Sequence, residues 1–404
     1  MEKNIPKLRF PEFEGEWEFK ILSEVAEKRI QKNHKKIIKN VLTNSAVYGI
    51  VSQRDFFDKD IANPDNTDGY YIVEKNDFVY NPRISVSAPV GPISRCHKVI
   101  GIMSPLYSVF RFNTGDLNFI EIFFNTSKWH LHMENIANYG ARADRMSFSI
   151  GDFYKMPIQF PSLPEQTKIA NFLSAVDEKI SQLKKKKDLL EKYKKGVMQK
   201  IFSQGLRFKD DNGQDFPEWE EKKLGDICKI YDGTHQTPNY VDMGIPFYSV
   251  EHVTANDFTN TKYITKEVFD KENQRVKLEK GDILMTRIGD IGTAKYINWD
   301  VEASFYVSLA LIKKSTKHNN EFISHYIGTK HFQNELHKKT IHVAFPKKIN
   351  LGEIGECLIN IPNLPEQAKI ANYLSAIVYK IYILTRKIES FGEWKKGLLQ
   401  HMFV

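Results

Sequence analysis

The chain contains one long segment twice, and this duplication limits its possible folds more than any other feature of its 404 residues. One copy begins at Leu163 and reads LPEQTKIANFLSAVDEKISQLKKKKDLLEKYKKGVMQKIFSQ. The second begins at Leu364 and reads LPEQAKIANYLSAIVYKIYILTRKIESFGEWKKGLLQHMFV. The copies align without a gap, which chance does not explain, so the chain is built from one unit that occurs twice.

Weaker matches precede each copy of this segment. Glu16-Trp17-Glu18 recurs as Glu218-Trp219-Glu220, and Glu74-Lys75-Asn76-Asp77 resembles Glu279-Lys280-Gly281-Asp282. Because a tryptophan recurs in both halves, we interpret Trp17 and Trp219 as core residues. We predict four segments, namely a variable domain at residues 1–162, a long helix at 163–204, a second variable domain at 205–363 and a long helix at 364–404.

Each repeated segment has the pattern of one long helix. Proline in the first turn and the glutamate after it suit a helix N-terminus. Apolar residues then recur at alternating steps of four and three, which is typical of a coiled-coil seam. The predicted seam positions are Ile169, Leu173, Val176, Ile180 and Leu183 in the first copy and Ile370, Leu374, Ile377, Ile381 and Leu384 in the second. The alternative is a long helix that packs on a domain core.

The excess positive charge lies in the same two segments. The net charge is +8 and the pI about 9.0, which suggests a polyanionic partner. Residues 163–204 hold ten Lys against five Asp and Glu, and residues 364–404 hold six Lys and Arg against three Glu. The variable domains are therefore close to neutral, and base recognition there must depend on local clusters. The run Lys184–Lys187 suits either a solvated helix face or phosphate contact.

The variable domains have a mixed α and β pattern. Short strands are predicted at residues 77–80, 107–112, 282–285 and 305–312, and helical spacing occurs at 117–138 and 320–339. The three cysteines form no CxxC pair, which argues against a zinc site or a disulfide framework and fits a reducing cytoplasm. The sequence shows neither a signal peptide nor an apolar run that could span a bilayer, so we expect no membrane partner.

Two further motifs complete a recognisable pattern. An apolar strand, a proline and LPEQxKIA occur at Gln159–Gln166 and again at Asn360–Gln367, and Gly281-Asp282-Ile283-Leu284-Met285-Thr286-Arg287 has the form GDILxxR. Over its whole length the chain resembles the specificity subunits of type I restriction-modification systems. The first domain departs from the GDILxxR motif, since it reads Asn76-Asp77-Phe78-Val79-Tyr80-Asn81-Pro82-Arg83.

The resemblance implies an α+β fold with a pseudo-twofold internal repeat, in which a pair of long antiparallel coiled-coil helices separates two mixed α/β target-recognition domains. Each domain would read one half of a bipartite target in double-stranded DNA. The helices would act as spacer and as docking site for modification subunits. Related complexes contain two modification (methyltransferase) and two restriction (endonuclease/translocase) subunits in the cytoplasm, and S-adenosylmethionine, ATP and Mg would bind in those partners.

The sequence lacks the motifs of catalysis. A methyltransferase needs a glycine-rich cofactor loop and a motif such as NPPY to hold a flipped adenine, and Asn81-Pro82-Arg83 lacks the second proline and the aromatic residue. An ATP-driven motor needs GxxxxGK[ST], and Gly289–Lys295 has the wrong spacing. We predict a non-catalytic DNA-binding subunit. The alternatives are a coiled-coil adaptor without a DNA role and the recognition part of a fused restriction-methylation enzyme.

Candidate DNA-binding residues lie on polar loops, where Arg, Lys, Asn, Gln, Ser and Thr can reach base edges. In the first domain they are Ser52, Gln53, Arg54, Asn81, Arg83, Ser85, Ser87, Arg142 and Arg145. In the second they are Thr234, His235, Gln236, Thr237, Thr286, Arg287, His342, Lys347 and Lys348. Phosphate contact is the more frequent role for any one of them. No catalytic or metal-binding residue is predicted, because the scattered histidines lack partners at ligand spacing.

Overall fold

A computed structural model describes residues 4–57, 67–97, 100–138 and 144–404 of the chain. It separates into two compact units, one formed by Met1–Lys184 with Lys387–Val404 and the other by Lys185–Arg386. We call them unit 1 and unit 2. Each unit holds one variable domain and part of both repeated helices. The functional division of the chain at residues 162, 204 and 363 stays a prediction.

Unit 1 combines short strands with short helices. Its strands are β1 (Glu18–Ile21), β2 (Ala26–Lys28), β3 (Leu42–Ser45), β4 (Gly49–Ser52), β5 (Tyr71–Val73), β6 (Phe78–Tyr80), β7 (Ile93–Arg95), β8 (Gly101–Met103), β9 (Ser108–Phe112) and β10 (Pro157–Phe160). Its helices are α1 (Leu22–Val25), α2 (Gln53–Phe57), α3 (Leu117–Phe124), α4 (His130–Ile136) and α5 (Ile150–Phe153). The first repeated segment forms the single helix α6 (Leu163–Phe202), which begins in this unit.

Unit 2 has the same mixed composition. Its strands are β11 (Glu220–Lys223), β12 (Ile230–Asp232), β13 (Ile245–Tyr248), β14 (Lys262–Ile264), β15 (Ile283–Ile288), β16 (Asp290–Tyr296), β17 (Ser304–Phe305), β18 (Leu309–Ile312) and β19 (Leu358–Ile361). Its helices are α7 (Leu224–Ile227), α8 (Val250–Ala255), α9 (Lys266–Asn273), α10 (Asn320–Ile327), α11 (Lys330–Lys339) and α12 (Leu351–Gly355). The second repeated segment forms α13 (Leu364–His401), which begins here. The predicted α+β fold is confirmed.

Two sheets of unit 1 have counterparts of the same arrangement in unit 2. Unit 1 has a four-stranded antiparallel sheet in the order β2-β9-β6-β7, and unit 2 has one in the order β12-β18-β15-β16. The pair β1-β10 likewise corresponds to the pair β11-β19, and both are antiparallel. The remaining strands differ, since β3-β4 and β5-β8 form two hairpin-sized sheets while β14-β13-β17 form one mixed sheet. The duplication therefore preserves the scaffold next to the long helices and changes the outer strands.

A buried aspartate precedes the central strand of each four-stranded sheet. Asp77 is fully buried and accepts a 2.7 Å hydrogen bond from Arg111 on the neighbouring strand. Asp282 is equally buried and accepts a 2.6 Å bond from Lys313 at the corresponding place. Gly281 has a φ of 95°, a region that favours glycine. The Gly-Asp of the GDILxxR motif thus forms a turn and a buried ion pair.

Three predicted elements are interrupted in the structure. The strand expected at residues 305–312 is two strands in different sheets, because Tyr306 turns the chain and accepts a hydrogen bond from Leu309 N. The helical stretches at 117–138 and 320–339 are each divided into two helices. In unit 2 the division falls at Gly328, and Thr329 then caps the next helix through its side chain.

The glutamate of each LPEQ motif is buried and binds an arginine and a tryptophan. In unit 1 the Glu165 carboxylate accepts bonds of 2.7 and 2.8 Å from Arg9 and one of 3.2 Å from Trp17 Nε1. This hydrogen bonding with Glu165 raises the pKa of Arg9. A carboxylate that accepts two parallel guanidinium bonds fixes both position and orientation, so α6 is held to its domain at its first turn.

Unit 2 repeats this arrangement. Glu366 accepts bonds of 2.9 and 3.3 Å from Arg207 and one of 3.1 Å from Trp219 Nε1. The interpretation of the tryptophans as core residues is confirmed for Trp17, which is buried in the core of unit 1, whereas Trp219 is partly buried and packs against the core of unit 2. We call Arg9, Trp17 and Glu165, and likewise Arg207, Trp219 and Glu366, the carboxylate anchors of the two helices.

The glutamine of each LPEQ motif binds the preceding loop. Gln166 donates to the Pro161 carbonyl at 2.8 Å and accepts from the backbone N–H of Asp116 at 2.8 Å. Gln367 donates to Pro362 at 2.7 Å and accepts from Asn319 N–H at 2.8 Å. Buried polar side chains are stable only when their hydrogen bonds are satisfied, so the motif recurs as a complete set.

The end of each helix also packs on a variable domain. In unit 1, Phe403 follows α13 and contacts the rings of Trp17 and Phe119, with centroids 6.1 and 5.3 Å apart. In unit 2, Phe202 at the end of α6 contacts Trp219 and Phe322, with centroids 6.4 and 5.7 Å apart. Each domain therefore packs against the start of one repeated helix and the end of the other.

The helices run antiparallel within each unit. In unit 1, Phe172 near the start of α6 contacts Trp394 near the end of α13 at a centroid distance of 6.0 Å. In unit 2, Tyr193 near the end of α6 and Tyr373 near the start of α13 share a hydrogen bond of 2.6 Å. The two long antiparallel helices of the predicted fold are confirmed.

The predicted seam positions are all buried or partly buried. Ile169, Leu173, Val176, Leu183, Ile370, Leu374, Ile377 and Leu384 are buried, and Ile180 and Ile381 are partly buried. The first turns of each helix join the core of a variable domain, as Leu173 does in unit 1 and Leu374 in unit 2. The alternative of a helix on a domain core therefore applies to these turns, while their role in partner docking stays a prediction.

Within the described parts of the chain no helix has the length and apolar character needed to cross a bilayer. Nor do the described residues contain a group of three or more His, Cys, Asp or Glu side chains placed to hold a metal ion.

Candidate nucleic-acid interface

Each unit contains a short two-stranded ribbon at the end of its central strand. In unit 1 the backbone N–H of Ile84 donates to Asp144 O at 3.1 Å, and Met146 N–H donates to Pro82 O at 2.9 Å. In unit 2, Gly289 N–H donates to Lys347 O at 2.8 Å, and Ile349 N–H donates to Arg287 O at 3.0 Å. We call residues 82–84 with 144–146, and 287–289 with 347–349, the recognition ribbons. Five of the predicted DNA-binding residues lie on them, namely Arg83, Arg145, Arg287, Lys347 and Lys348.

In unit 2 a buried aspartate organises the residues beside the ribbon. Asp232 ends β12 and accepts bonds from Arg275 and, at 2.9 Å, from His235. Arg287 Nη1 lies 3.7 Å from the same carboxylate. Burial raises the pKa of Asp232, but the bonds from Arg275 and His235 outweigh it and the net pKa is below the ordinary value. The carboxylate thus stays charged and holds two arginines and one histidine in one place.

Thr286 and Arg287 are more buried than base-reading residues usually are. Thr286 is fully buried, and its hydroxyl donates to Asp290 at 2.8 Å. Arg287 is 8% exposed and donates through Nε to Ile349 O at 3.1 Å and through Nη1 to Val307 O at 2.9 Å. These guanidinium bonds connect the two strands of the ribbon to each other and to the turn between β17 and β18. Arg287 therefore positions the ribbon in this structure, and a base contact by it stays a prediction.

The remaining candidates of unit 2 surround this point. Thr234 is 8% exposed and its backbone N–H donates to Phe305 O at 3.1 Å, while Thr237 bonds the Tyr306 hydroxyl at 3.3 Å. The other candidates are exposed or partly exposed polar side chains, namely His235, Gln236, His342, Lys347 and Lys348. Because Asp232 bonds His235 and lies 3.7 Å from Arg287, whose carbonyl accepts a bond from Ile349 N–H, the structure brings the two turns and the strand end together.

In unit 1 some candidate residues stabilise the loop through hydrogen bonds, and others are exposed on its surface. Asn81 is 7% exposed, donates to Asn44 O at 2.8 Å and accepts from Arg83 N–H at 3.0 Å. Arg83 itself is exposed and pairs with Arg145 across the ribbon. Asn81 thus shapes the turn that presents Arg83, as Thr286 does at the corresponding place in unit 2.

A groove of about 910 Å³ brings further candidates of unit 1 together. Ser52 and Ser87 both line it, and Ser85 and Ser87 share a 3.2 Å hydrogen bond beside it. Gln53 and Arg54 begin α2, directly after Ser52. Arg142 lies outside the described residues.

Three residues of structural importance escaped the sequence analysis. Arg9 and Arg207 complete the carboxylate anchors, and the triplet Leu-Arg-Phe that contains each of them occurs at 8–10 and again at 206–208. That second repeat was the available signal. Arg275, which bonds Asp232, has no such signal, because nothing in the sequence relates residues 232 and 275.

Known proteins share this architecture. A model of the family described as "Type I restriction modification DNA specificity domain" matches residues 14–192 and 217–390. The solved S subunit of a type I restriction-modification system from M. genitalium superposes with a TM-score of 0.62 at 16% identity, over 99% of both chains. At that identity the likeness establishes the fold.

Two curated relatives come from Methanocaldococcus jannaschii. The type I restriction enzyme MjaVIII specificity subunit is 28% identical over 263 residues, which is 61% of this chain and 61% of that protein. The putative type I restriction enzyme MjaX specificity subunit is 29% identical over 290 residues, which is 67% of this chain and 64% of that protein. The matches thus span somewhat less than two thirds of these relatives. Since the family model covers both halves, this chain belongs to the family of type I restriction modification DNA specificity domains and carries that domain twice.

Proposed function

We propose that this chain is the non-catalytic sequence-specificity subunit of a type I restriction-modification complex, and that each unit recognises one half of a bipartite target in double-stranded DNA. One observation carries the proposal. The same recognition ribbon, held by the same backbone bonds, occurs in both units with different exposed side chains. A common scaffold with different surface residues suits the recognition of two different half-sites.

The side chains of the two ribbons support this division. Arg145 and Lys348 occupy corresponding positions, and each pairs with the other strand of its ribbon. A cation at the same place in both units suits a phosphate contact, which positions a protein on the duplex without reading sequence. Opposite them, Arg83 in unit 1 corresponds to Ile288 in unit 2. Specificity then comes from such differing positions and from the adjoining turns.

A pair of corresponding grooves along the helices supports the proposed docking of partner proteins. In unit 2 a groove of about 1090 Å³ is lined by Met198 of α6 and by Thr329. In unit 1 a smaller groove of about 370 Å³ is lined by Leu399 of α13 and by Thr126 at the corresponding positions. A site that occurs twice suits a partner that binds in two copies, and we assign it to the modification subunits.

We assign the catalytic activities to partner subunits, as the resemblance to the family implies. Two modification and two restriction subunits would complete the complex in the cytoplasm, with S-adenosylmethionine, ATP and Mg bound in those partners. The long helices would then serve as the spacer between the recognition domains. With 40 residues, α6 is about 60 Å long at 1.5 Å per residue.

Methylation mapping tests the proposal. DNA from cells that carry this chain with its modification partner should contain methylated adenines in a two-part motif with a fixed spacer. Cells with the modification partner alone should lack that motif. A coiled-coil adaptor would leave the methylation pattern unchanged, and a fused enzyme would methylate or cut DNA when this chain is purified by itself.

A further inference from the structure

One apolar side chain of unit 2 projects fully into solvent next to the recognition ribbon. Phe345 is fully exposed, and Val343 beside it in the loop is 96% exposed. A buried phenylalanine removes 150–250 Å² from water, so full exposure forgoes a large stabilisation. Isolated exposed apolar residues are ordinary, and a role for this one depends on what holds it and what surrounds it.

The loop that carries Phe345 is fixed at its base. Ile341 N–H donates to Lys348 O at 2.8 Å and closes the loop on itself. Lys348 also pairs with Ile288 of β15, and Gly289 N–H donates to Lys347 O at 2.8 Å. The loop is therefore an extension of the recognition ribbon, and its base is fixed to the central sheet.

Two exposed lysines follow the tip in sequence, namely Lys347 and Lys348. On the other side of Phe345, the ring of His342 lies 4.4 Å from that of His337. An apolar tip next to two lysines suits a duplex, because the lysines can contact phosphates while the ring enters the stack of bases. Proteins that bend DNA use Phe, Leu, Ile, Met or Pro side chains in this way, and the inserted side chain partly unstacks one base step.

We propose that Phe345 inserts between two adjacent base pairs of the half-site that unit 2 recognises, and that it unstacks this step. The inference rests on the proposed function and adds a specificity-determining residue to it. Insertion costs least at flexible pyrimidine–purine steps, so Phe345 selects for such a step without a hydrogen bond to any base.

Fluorescence of 2-aminopurine tests the insertion directly, because unstacking increases its emission. The full chain, assembled with its modification subunits, is mixed with duplexes that carry its mapped target and a single 2-aminopurine at successive positions of the half-site of unit 2. The adenine that is methylated serves as an internal control, because its extrusion by the methyltransferase does not depend on Phe345. We expect a second position of increased 2-aminopurine emission within a few base pairs of the bases that the ribbon reads.

Three variants separate insertion from other effects. Phe345→Ala should abolish the second position of increased emission and weaken target binding by about tenfold, as expected for the loss of one base–aromatic contact. Phe345→Leu should retain most of the signal, because leucine is also an apolar wedge. Met243→Ala removes another exposed apolar side chain of unit 2, 87% exposed, and should change nothing. Thermal unfolding should be the same for all, since none of these side chains is buried.

The possible failures are distinguishable. If the wild-type complex shows no preference for its mapped target, the proposed function is wrong. If it binds the target but Phe345→Ala leaves the fluorescence profile and affinity unchanged, only the insertion is wrong. Loss of modification-subunit binding in Phe345→Ala, with an unchanged DNA profile, would assign the loop to a protein contact and would equally overturn the insertion.

Discussion

The two units have the same scaffold but different cores. At the centre of the sheet in unit 1, Phe78 and Phe110 are fully buried and their rings lie 6.0 Å apart. The corresponding residues of unit 2 are Ile283 and Ile312, which are equally buried. An aromatic pair and an aliphatic pair therefore support the same strand order, as expected when hydrophobic pattern and total volume matter more than the identity of each side chain.

The buried polar groups behave differently from the core. Glu165 and Glu366 both bind an arginine and a tryptophan, and Asp77 and Asp282 both bind a cation, which lies on β9 in unit 1 and directly after β18 in unit 2. Apolar residues can be exchanged one at a time, whereas a buried charge must keep all of its partners. The polar contacts therefore define the common scaffold, while the core and the surface are free to diverge.

The largest expected effect concerns the turns that join a helix to a domain core. Leu173 is fully buried in unit 1, so Leu173→Asp should lower the free energy of unfolding by about 4 kcal/mol or more, because it buries an unpaired charge. Leu189→Asp on the same helix, at a side chain 56% exposed, should cost about 0.5 kcal/mol or less. Hydrogen exchange should lose protection first in unit 1. Simultaneous loss in unit 2 would show that the units do not unfold separately.

The carboxylate anchors give a matched pair of variants. Glu165→Gln leaves Arg9 without its carboxylate and should destabilise unit 1 by about 3 kcal/mol, the low end for a buried pair, since Arg9 keeps two carbonyl acceptors. Glu366→Gln should destabilise unit 2 by a similar free energy of unfolding. Denaturant unfolding measures both, with Asp177→Asn at the exposed pair with Lys395 as control. A strongly unequal effect would contradict the view that the anchors are equivalent.

Acid should affect unit 2 more than unit 1. Burial, together with Lys194, lowers the pKa of His325 from 6.5 to about 4, whereas Ile122 occupies the corresponding place in unit 1. Between these pH values the unfolded chain binds a proton that the folded unit does not, so stability falls as pH falls through this window. His325→Ile should reduce the loss between pH 7 and pH 4 by about 2–3 kcal/mol.

Thermal unfolding across pH checks this sign. If the pH dependence of the stability of unit 2 is unchanged in His325→Ile, another group controls it. One such group is the buried His318, whose pKa is also lowered by burial.

The smallest expected effect concerns the corresponding cations of the recognition ribbons. Arg145→Ala and Lys348→Ala should each weaken DNA binding about equally for all sequences and reduce the slope of log affinity against log salt by about one. Binding at several salt concentrations measures this slope. Relaxed preference at one base position, with the salt slope retained, would mean that the residue reads a base in that unit.

The helices were predictable from sequence because a sustained apolar repeat leaves few alternatives. Both begin at the leucine of LPEQ, as expected, and end within a few residues of the predicted limits. The break at Tyr306 was not predictable, because the apolar run of residues 305–312 satisfies either one strand or two. Its division depends on a pairing with Thr234, which is distant in sequence.

The candidate site could be located from sequence only to the level of loops. Residues such as Asn81, Thr286 and Arg287 were expected to contact DNA, and the structure assigns their hydrogen bonds to neighbouring backbone or side chains. Sequence cannot separate a polar residue that shapes a loop from one that the loop presents, because both are polar. The exposure of Phe345 was likewise hidden, since an apolar residue in a sequence is ordinarily assigned to a core.

An exchange of one variable domain tests the central claim that each unit recognises its own half-site. The junctions should lie after β1 and before β10, so that residues 22–156 are replaced by those of a relative while the carboxylate anchor and the β1-β10 pair remain. Methylation mapping of cells with this chimera should show a motif in which one half is new and the other half is unchanged. A motif in which both halves change would contradict independent recognition by the two units.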